Sequence, residues 1–242
     1  MIEAALWALL GAISLVVGAE LALLLRPGRK LIGLVMAFGA GAMISAVAYE
    51  LVLEALETGE GLLTALGIAL GSLTFFVGNL LIERAGGANR KRSGGQQAEG
   101  SPLTIVLGTA LDGVPESLII GLSLVLGTGV SISFVAATFL SNLPEAIAAT
   151  TGLREAGWPR SRIRVLWLLV VSVSAAAGAL GFAAFTASPG ATGAFIQAFA
   201  AGALLTMLAD TMMPEAFEFG GSLVGLLTVA GFVTALTIAE LA

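Results

Sequence analysis

The sequence predicts an all-α integral membrane protein, a single transmembrane domain over residues 1–242 with eight spanning helices. Hydrophobic residues make up 57% of the chain and charged residues only 11%, whereas soluble domains are about one quarter charged. Apolar runs follow one another with short polar breaks, and about 20 helical residues cross a bilayer core of roughly 30 Å. We therefore expect the lipid bilayer to surround this protein and expect no nucleic-acid partner.

Gly and Pro mark the breaks between the apolar runs, as in Arg26-Pro27-Gly28 and Ser188-Pro189-Gly190. The first run has no basic segment before it, which favours a spanning helix over a cleaved signal. The polar stretch 83–102 is rich in Gly, Gln, Ser and basic residues, and we expect a flexible loop there. The predicted spans are 3–25, 31–55, 61–82, 103–126, 130–152, 163–186, 192–213 and 220–241.

Basic residues predict the orientation of the helices. All 11 Lys and Arg fall in three segments of the chain. The segments hold Arg26, Arg29 and Lys30; Arg84, Arg90, Lys91 and Arg92; and Arg154, Arg160, Arg162 and Arg164. With eight spans these segments share one face, which the positive-inside rule places in the cytoplasm. We therefore expect a multi-pass protein of the cell (inner) membrane, with both termini outside and the 83–102 loop in the cytoplasm.

An internal repeat relates the second and seventh predicted spans. Residues 37–56 read AFGAGAMISAVAYELVLEAL, and residues 198–217 read AFAAGALLTMLADTMMPEAF. The two segments match without gaps at AF, at AGA and at EA, and they run in opposite directions in this topology. The similarity predicts a 3+2+3 arrangement, in which helices 1–3 and 6–8 form an inverted repeat around a central pair, as in many secondary transporters.

Acidic residues lie inside the predicted spans, where an ionised side chain costs about 2.5–3.5 kcal/mol. No Lys or Arg lies in the core of a predicted span, so we expect these acids to bind protons, face water or bind a cation. This asymmetry predicts a cation pathway. The acids concerned are Glu20, Glu50, Glu54, Asp112, Glu116, Glu145 and Asp210, with Glu215 at a span end.

The most ordered acids lie in two matched motifs, LDGVPE at 111–116 and LSNLPE at 140–145. In each motif the acidic and amide side chains share one helix face, because they are three or four residues apart. Each proline leaves the carbonyl four residues earlier, of Leu111 or Leu140, without its helical partner. Such an all-oxygen set suits a hard or borderline divalent cation. The candidate ligands are Asp112, Glu116, Asn142 and Glu145.

These paired motifs resemble the fourth and fifth helices of the ZIP family of metal transporters. The resemblance implies a divalent metal permease, with metal bound between those two helices, one bundle sliding past another, and in many members a homodimer. By motif position, Asp112 replaces a usual His and Gly113 a usual Asn, whereas Glu116 matches the family. Ser141 stands where His or Gln is common, and Asn142 and Glu145 fit the ligand pattern.

Other acids have a looser match to the family. Glu50 and Asp210 are candidates for a second site or for the pathway, and Glu54, Glu215 and Glu20 are further candidates. Glu54 and Glu215 could equally be solvated helix ends, and Glu20 a packing residue. The chain has no His, so its site would prefer zinc less strongly than a site with imidazole does, and manganese, magnesium or iron are alternatives.

Competing functions stay open at this point. A proton-coupled carrier of a small organic solute could use the same intramembrane acids as proton relays. A regulatory membrane protein would need fewer of them. The absence of His and Cys argues against an enzyme, so we expect no catalysis and no cofactor, with the divalent cation as substrate.

Overall fold

The computed structural model describes residues 1–87, 89–90, 92–95, 102–125, 130–186 and 191–241, and they are almost entirely helical. The α-helices are α1 (Ile2–Leu25), α2 (Arg29–Ala46), α3 (Glu54–Thr58), α4 (Gly61–Ile82), α5 (Pro102–Val125), α6 (Ile132–Glu155), α7 (Arg160–Phe185), α8 (Ala191–Met207), α9 (Met213–Gly220) and α10 (Val224–Leu241). Short π-helical segments, Val47–Leu53, Glu83–Gly87 and Leu208–Met212, follow α2, α4 and α8, and a 3-10 turn, Gly221–Leu223, precedes α10.

In the described part of the chain, seven helices are long and apolar enough to cross a membrane, one fewer than the sequence predicts. The difference arises at the C-terminal end, where the predicted seventh and eighth spans fall in one helical stretch, Thr192–Leu241, of 50 residues. That stretch leaves helical geometry at Gly221, with φ 70° and ψ −149°. The ends of the first six predicted spans lie within three residues of the observed helix ends.

The helices pack in two groups, which meet where α2 crosses α6. In one group α1 lies between α6 and α7, and α7 also packs along α5. In the other group α10 packs along α2, and α8 packs along α4. A buried cluster around Trp167 joins α1, α6 and α7, and a larger cluster around Met36 and Met43 extends from α2 into α5, α6 and α8.

The two repeated segments have similar local structure. Each continues from its α-helix into a π-helical segment, and these begin at Val47 and Leu208, which are equivalent positions in the repeat. The equivalent glycines of the repeat also make equivalent contacts. A methyl group added at Gly41 would lie 1.9 Å from the Thr228 carbonyl oxygen of α10, and one at Gly202 would lie 2.0 Å from the Ile68 carbonyl oxygen of α4. Only glycine permits such close helix contacts.

Basic side chains gather at one end of the bundle, which we call the basic end. Arg29 at the start of α2 pairs with Glu155 at the end of α6 (3.0 Å). Arg154 donates to the Ala22 carbonyl oxygen near the end of α1 (3.0 Å). We call the other end of the bundle the opposite end. It includes the end of α2, the start of α4 and the start of α6. There Thr64 of α4 donates to the Ala55 carbonyl oxygen.

Candidate metal site

The four predicted ligands lie on α5 and α6, and all four are buried. Asp112 is 2% exposed, Glu116 1%, Asn142 4% and Glu145 5%. Pro115 and Pro144 each lie inside an unbroken helix, so the acids before and after each proline keep the shared face that their spacing predicts. The helices therefore place three carboxyl groups and one amide in the protein interior.

A basic residue contacts this group, contrary to the sequence prediction. Arg90, from the segment between α4 and α5, is itself only 2% exposed. Its guanidinium is bidentate on Asp112, with Nε 3.0 Å from Oδ2 and Nη2 3.1 Å from Oδ1. This planar pairing is the geometry in which arginine holds a carboxylate most tightly. The Asp112 carboxylate therefore already holds a cation that belongs to the protein.

Neighbouring groups fix the position and charge of Arg90. Nη2 also donates to Asn79 Oδ1 (2.7 Å), and Asn79 Nδ2 in turn donates to Glu83 Oε1 (2.8 Å). Burial by itself would lower the pKa of Arg90, but the charge and hydrogen bonds of Asp112, with smaller effects of Glu145 and Glu83, leave the pKa above its ordinary value. Arg90 is therefore a full cation, and Glu145 contributes to the negative potential around it.

The segment after Arg90 is also packed against the bundle. The backbone nitrogen of Ser93 donates to Glu215 Oε1 (2.9 Å), and its hydroxyl group donates to the same oxygen. Arg92 pairs with Glu215 (3.3 Å) and with Glu218. The expected flexible loop 83–102 is thus folded in its described part, where Arg90 and Ser93 are buried; residues 96–101 lie outside the described residues.

The expectation that the intramembrane acids have no basic partner is wrong for Asp112, Glu215 and Glu20. Glu215 is buried beneath Arg92, so the solvated helix end considered for it is also wrong. Glu20 accepts two hydrogen bonds from Arg164, at 2.6 Å and 2.9 Å, on the exposed surface. Arg90 and Arg92 lie outside the predicted spans, but the folded-back segment carries their charge to Asp112 and Glu215. Arg164 lies at the start of a predicted span, and its long side chain reaches Glu20.

The prolines leave the carbonyl groups of Leu111 and Leu140 without a helical donor, and these two groups do not both face the acids. The Leu140 oxygen points towards α2, because a methyl group added at Gly39 would lie 2.7 Å from it. A close Cα–H contact of this kind partly satisfies such an oxygen. Ser141 is buried, and its hydroxyl group donates to the Thr138 carbonyl oxygen within its own helix (3.1 Å). A carbonyl oxygen with one such contact and a hydroxyl oxygen that donates its proton both keep a lone pair, so Leu140 and Ser141 stay predicted ligands.

Glu50 and Glu54 lie elsewhere, at the opposite end of the bundle. Both line a half-open cavity of about 430 Å³, which we call the acidic cavity. Glu50 accepts hydrogen bonds from the Ser131 hydroxyl group (2.7 Å) and from the Ser133 hydroxyl group. Glu54 accepts one from Gln197 Nε2 (2.8 Å). None of the described residues that line this cavity is basic.

Asp210 is exposed, and it lines a small cavity of about 110 Å³ at the basic end. The same cavity is lined by Arg90, Arg92 and Glu215, so it lies directly beside the segment that packs against α5. Asp210 is thus close to Arg90 and remote from Glu50, although both acids were expected to approach one pathway.

Among the residues that the structure describes, no three acidic side chains converge closely enough to hold one metal ion in this conformation. In addition, the Arg90 guanidinium occupies both oxygens of Asp112, which a metal ion at this residue would need. Sequence inspection missed Arg90, Asn79 and Gln197 as members of these sites. Asn79 and Gln197 had one usable signal, since each is an amide inside a strongly apolar helix.

No protein-family model matches this chain, and a search of curated proteins finds no match to it.

Proposed function

We propose that this protein transports divalent metal cations, and that the transported ion binds between α5 and α6 to Asp112, Glu116, Asn142 and Glu145. One observation carries the proposal: a buried acidic group in the helical core holds a cation, the Arg90 guanidinium, through Asp112. A site that balances its charge with a side chain from a connecting segment can exchange that side chain for a mobile ion of the same sign.

The membrane topology is part of the proposal. The helical stretch Thr192–Leu241 would be about 75 Å long if it were straight, more than twice a bilayer core, so we infer two crossings separated at Gly221 and eight crossings in all. The matched π-helical segments and the equivalent Gly41 and Gly202 contacts support an inverted repeat of helices 1–3 and 6–8. The positive-inside rule then places the basic end in the cytoplasm and both termini outside.

This arrangement implies an order of events in transport. In the observed conformation Arg90 occupies Asp112 from the basic end, and Ser93 and Arg92 attach the same segment to Glu215. A metal ion can reach both Asp112 oxygens only when Arg90 withdraws, because cations at one carboxylate repel each other. Release of Arg90 would then open the site toward the basic end, and its return would expel the ion by competition.

The donor atoms favour hard cations. Carboxylate and amide oxygens are the ligands of magnesium, calcium and manganese, whereas zinc sites usually include imidazole or thiolate. The sequence contains neither His nor Cys, so we propose manganese, magnesium or ferrous iron ahead of zinc. Membership of the ZIP family is proposed on the two Pro-Glu motifs, and the homodimer and the sliding of bundles that it implies are proposed with it.

Uptake of radioactive manganese into proteoliposomes that contain the purified full chain tests the proposed function. We expect protein-dependent uptake that is reduced by unlabelled magnesium, iron or zinc, and not by small organic cations, amino acids or sugars. Uptake no faster than in protein-free vesicles, across all these ions and both membrane orientations, would reject metal transport. Saturable uptake of an organic solute coupled to protons would favour the alternative carrier instead.

A further inference from the structure

We infer that the acidic cavity at the opposite end is a second divalent-cation site, separate from the α5–α6 site. Its acidic ligands are Glu50 and Glu54, and Gln197 supplies a neutral oxygen. This inference goes beyond the proposed function, because the cavity would bind cations whether or not the protein transports them.

Among the described residues, no basic side chain lines this cavity or bonds to its two carboxylates. Glu50 and Glu54 are both half-buried, and their observed partners are hydroxyl and amide groups. None of the described residues that line this cavity is Lys or Arg, and the sequence contains no His. Two adjacent negative charges with neutral partners attract a small cation of double charge more strongly than any monovalent ion.

An orphaned amide oxygen provides an independent observation. Gln197 lines the acidic cavity and is 4% exposed. Its Nε2 donates to Glu54 Oε2 (2.8 Å) and, at 3.5 Å, to the backbone carbonyl oxygen of Glu50, which fixes the orientation of the amide because carboxylates only accept. No described residue donates to Oε1 of Gln197, although this oxygen is buried. A buried acceptor without a donor needs a partner, and a bound cation or its water supplies one.

The remaining lining groups match a hard, partly hydrated ion. The cavity of about 430 Å³ has room for several waters as well as an ion, and Ser131 and Ser133 add hydroxyl oxygens beside Glu50. No sulfur or imidazole is present anywhere in this set. The ligand class is therefore a hard divalent cation, and Mn²⁺ is a suitable probe because it combines this chemistry with an electron-spin signal.

The principal test measures Mn²⁺ bound to the purified full chain by the loss of the free-ion electron-spin signal. Glu50→Gln/Glu54→Gln should weaken binding at this site at least about tenfold, while Glu116→Ala/Glu145→Ala should leave it unchanged. The matched control is Glu57→Gln/Glu60→Gln, since both residues are exposed acids of the same end outside the cavity. Wild-type stoichiometry and affinity in Glu50→Gln/Glu54→Gln would overturn the inference.

Variants of Gln197 separate a ligand from a packing residue. Gln197→Glu keeps the acceptor oxygen and adds a negative charge, so it should tighten Mn²⁺ binding several-fold; Gln197→Leu should weaken it. If Gln197 only packs against its neighbours, Gln197→Glu would bind Mn²⁺ no more tightly than the wild type does. Unchanged affinity in both variants would remove Gln197 from the site.

A labelling experiment decides the matter if the acid variants fail to fold. The chain contains no Cys, so Ser123→Cys, which lines the cavity, introduces a single thiol. Mn²⁺ should slow its reaction with a charged thiol reagent several-fold, and equal rates with and without Mn²⁺ would overturn the inference.

Mn²⁺ binding in the acidic cavity without any uptake would reject only the transport proposal. Uptake without this binding would reject only the second site.

Discussion

The acids of the basic end and the acids of the acidic cavity satisfy their charge in different ways. Asp112 is fully buried and holds the guanidinium of Arg90 in a bidentate pair. Glu50 and Glu54 lie in a half-open cavity and accept hydrogen bonds only from neutral donors among the described residues. The first group is closed by a protein cation, whereas the second is accessible to ions from solution.

Under the proposed function, this difference would let one molecule present acids to both sides of a membrane without two open metal sites at once. A buried carboxylate left without a cation is strongly destabilising, so Asp112 of the α5–α6 site needs Arg90 whenever no metal is bound. The acidic cavity is half-open, so water that enters it can stabilise the charge of its carboxylates. In this structure Arg90 covers Asp112 from the basic end, whereas the acidic cavity at the opposite end is half-open.

Removal of a proposed ligand of the α5–α6 site should have the strongest effect, which is the loss of manganese uptake. Glu116→Ala and Glu145→Ala should each reduce manganese uptake to the level of protein-free vesicles, because each removes a proposed ligand of the transported ion. Glu50→Gln/Glu54→Gln should instead keep turnover and raise the manganese concentration that gives half-maximal uptake. Size-exclusion profiles and thermal unfolding would verify that the variants fold. Wild-type uptake in both alanine variants would contradict the assigned site.

The next largest effect concerns the internal cation. Arg90→Gln should lower the free energy of unfolding by about 3–5 kcal/mol, because it leaves the Asp112 charge buried without its guanidinium. Manganese should restore more of this stability than it adds to the wild type, since an ion can take the vacated position. Thermal unfolding with and without manganese measures both quantities.

Two comparisons sharpen the Arg90 prediction. Arg29→Gln is the matched control, because Arg29 is exposed and pairs with Glu155, which is exposed as well. The double variant Arg90→Gln/Asp112→Asn should recover most of the lost stability by removing the unbalanced charge. An Arg90→Gln protein as stable as wild type without manganese would show that Arg90 does not balance the site.

A smaller effect is expected on ion selectivity. Asp112→His replaces a carboxylate by a softer ligand, so it should raise zinc uptake relative to manganese uptake. Competition between the two ions in proteoliposomes gives the ratio directly. The equivalent change at the other end, Glu50→His, should alter the ratio less, because in the proposed pathway that acid would contact ions only before they reach the α5–α6 site. An unchanged ratio in Asp112→His would argue against contact between residue 112 and the ion.

The smallest effect is expected at Glu20. Its pair with Arg164 is exposed, and exposed ion pairs contribute little to stability. Glu20→Gln should therefore leave both manganese uptake and thermal unfolding at wild-type values. A strong loss of uptake would place Glu20 in the pathway, as its position within a predicted span first suggested.

Much of the architecture follows from local sequence properties. The apolar runs give the helices to within a few residues, because helices in a bilayer must satisfy their own backbone groups and have a fixed minimum length. The spacing of Asp112 and Glu116, and of Asn142 and Glu145, places each pair on one buried face, since helical periodicity does not depend on the rest of the fold. The equivalent π-helical segments begin at matched positions of the repeat that was visible in the sequence.

Tertiary structure alone decided which acids acquire a basic partner. Hydropathy assigned Arg90 to a solvated loop, but its side chain lies on Asp112 because the segment folds back between the helices. The separation of Glu50 from Asp210, and the meeting of Gln197 with Glu54, also depend on contacts between distant parts of the chain. Hydrophobicity and helical spacing are local properties, so the order of amino acids was enough to specify a membrane-embedded helical protein with buried acids. The distribution of cations among those acids was set by long-range packing, which no local pattern encodes.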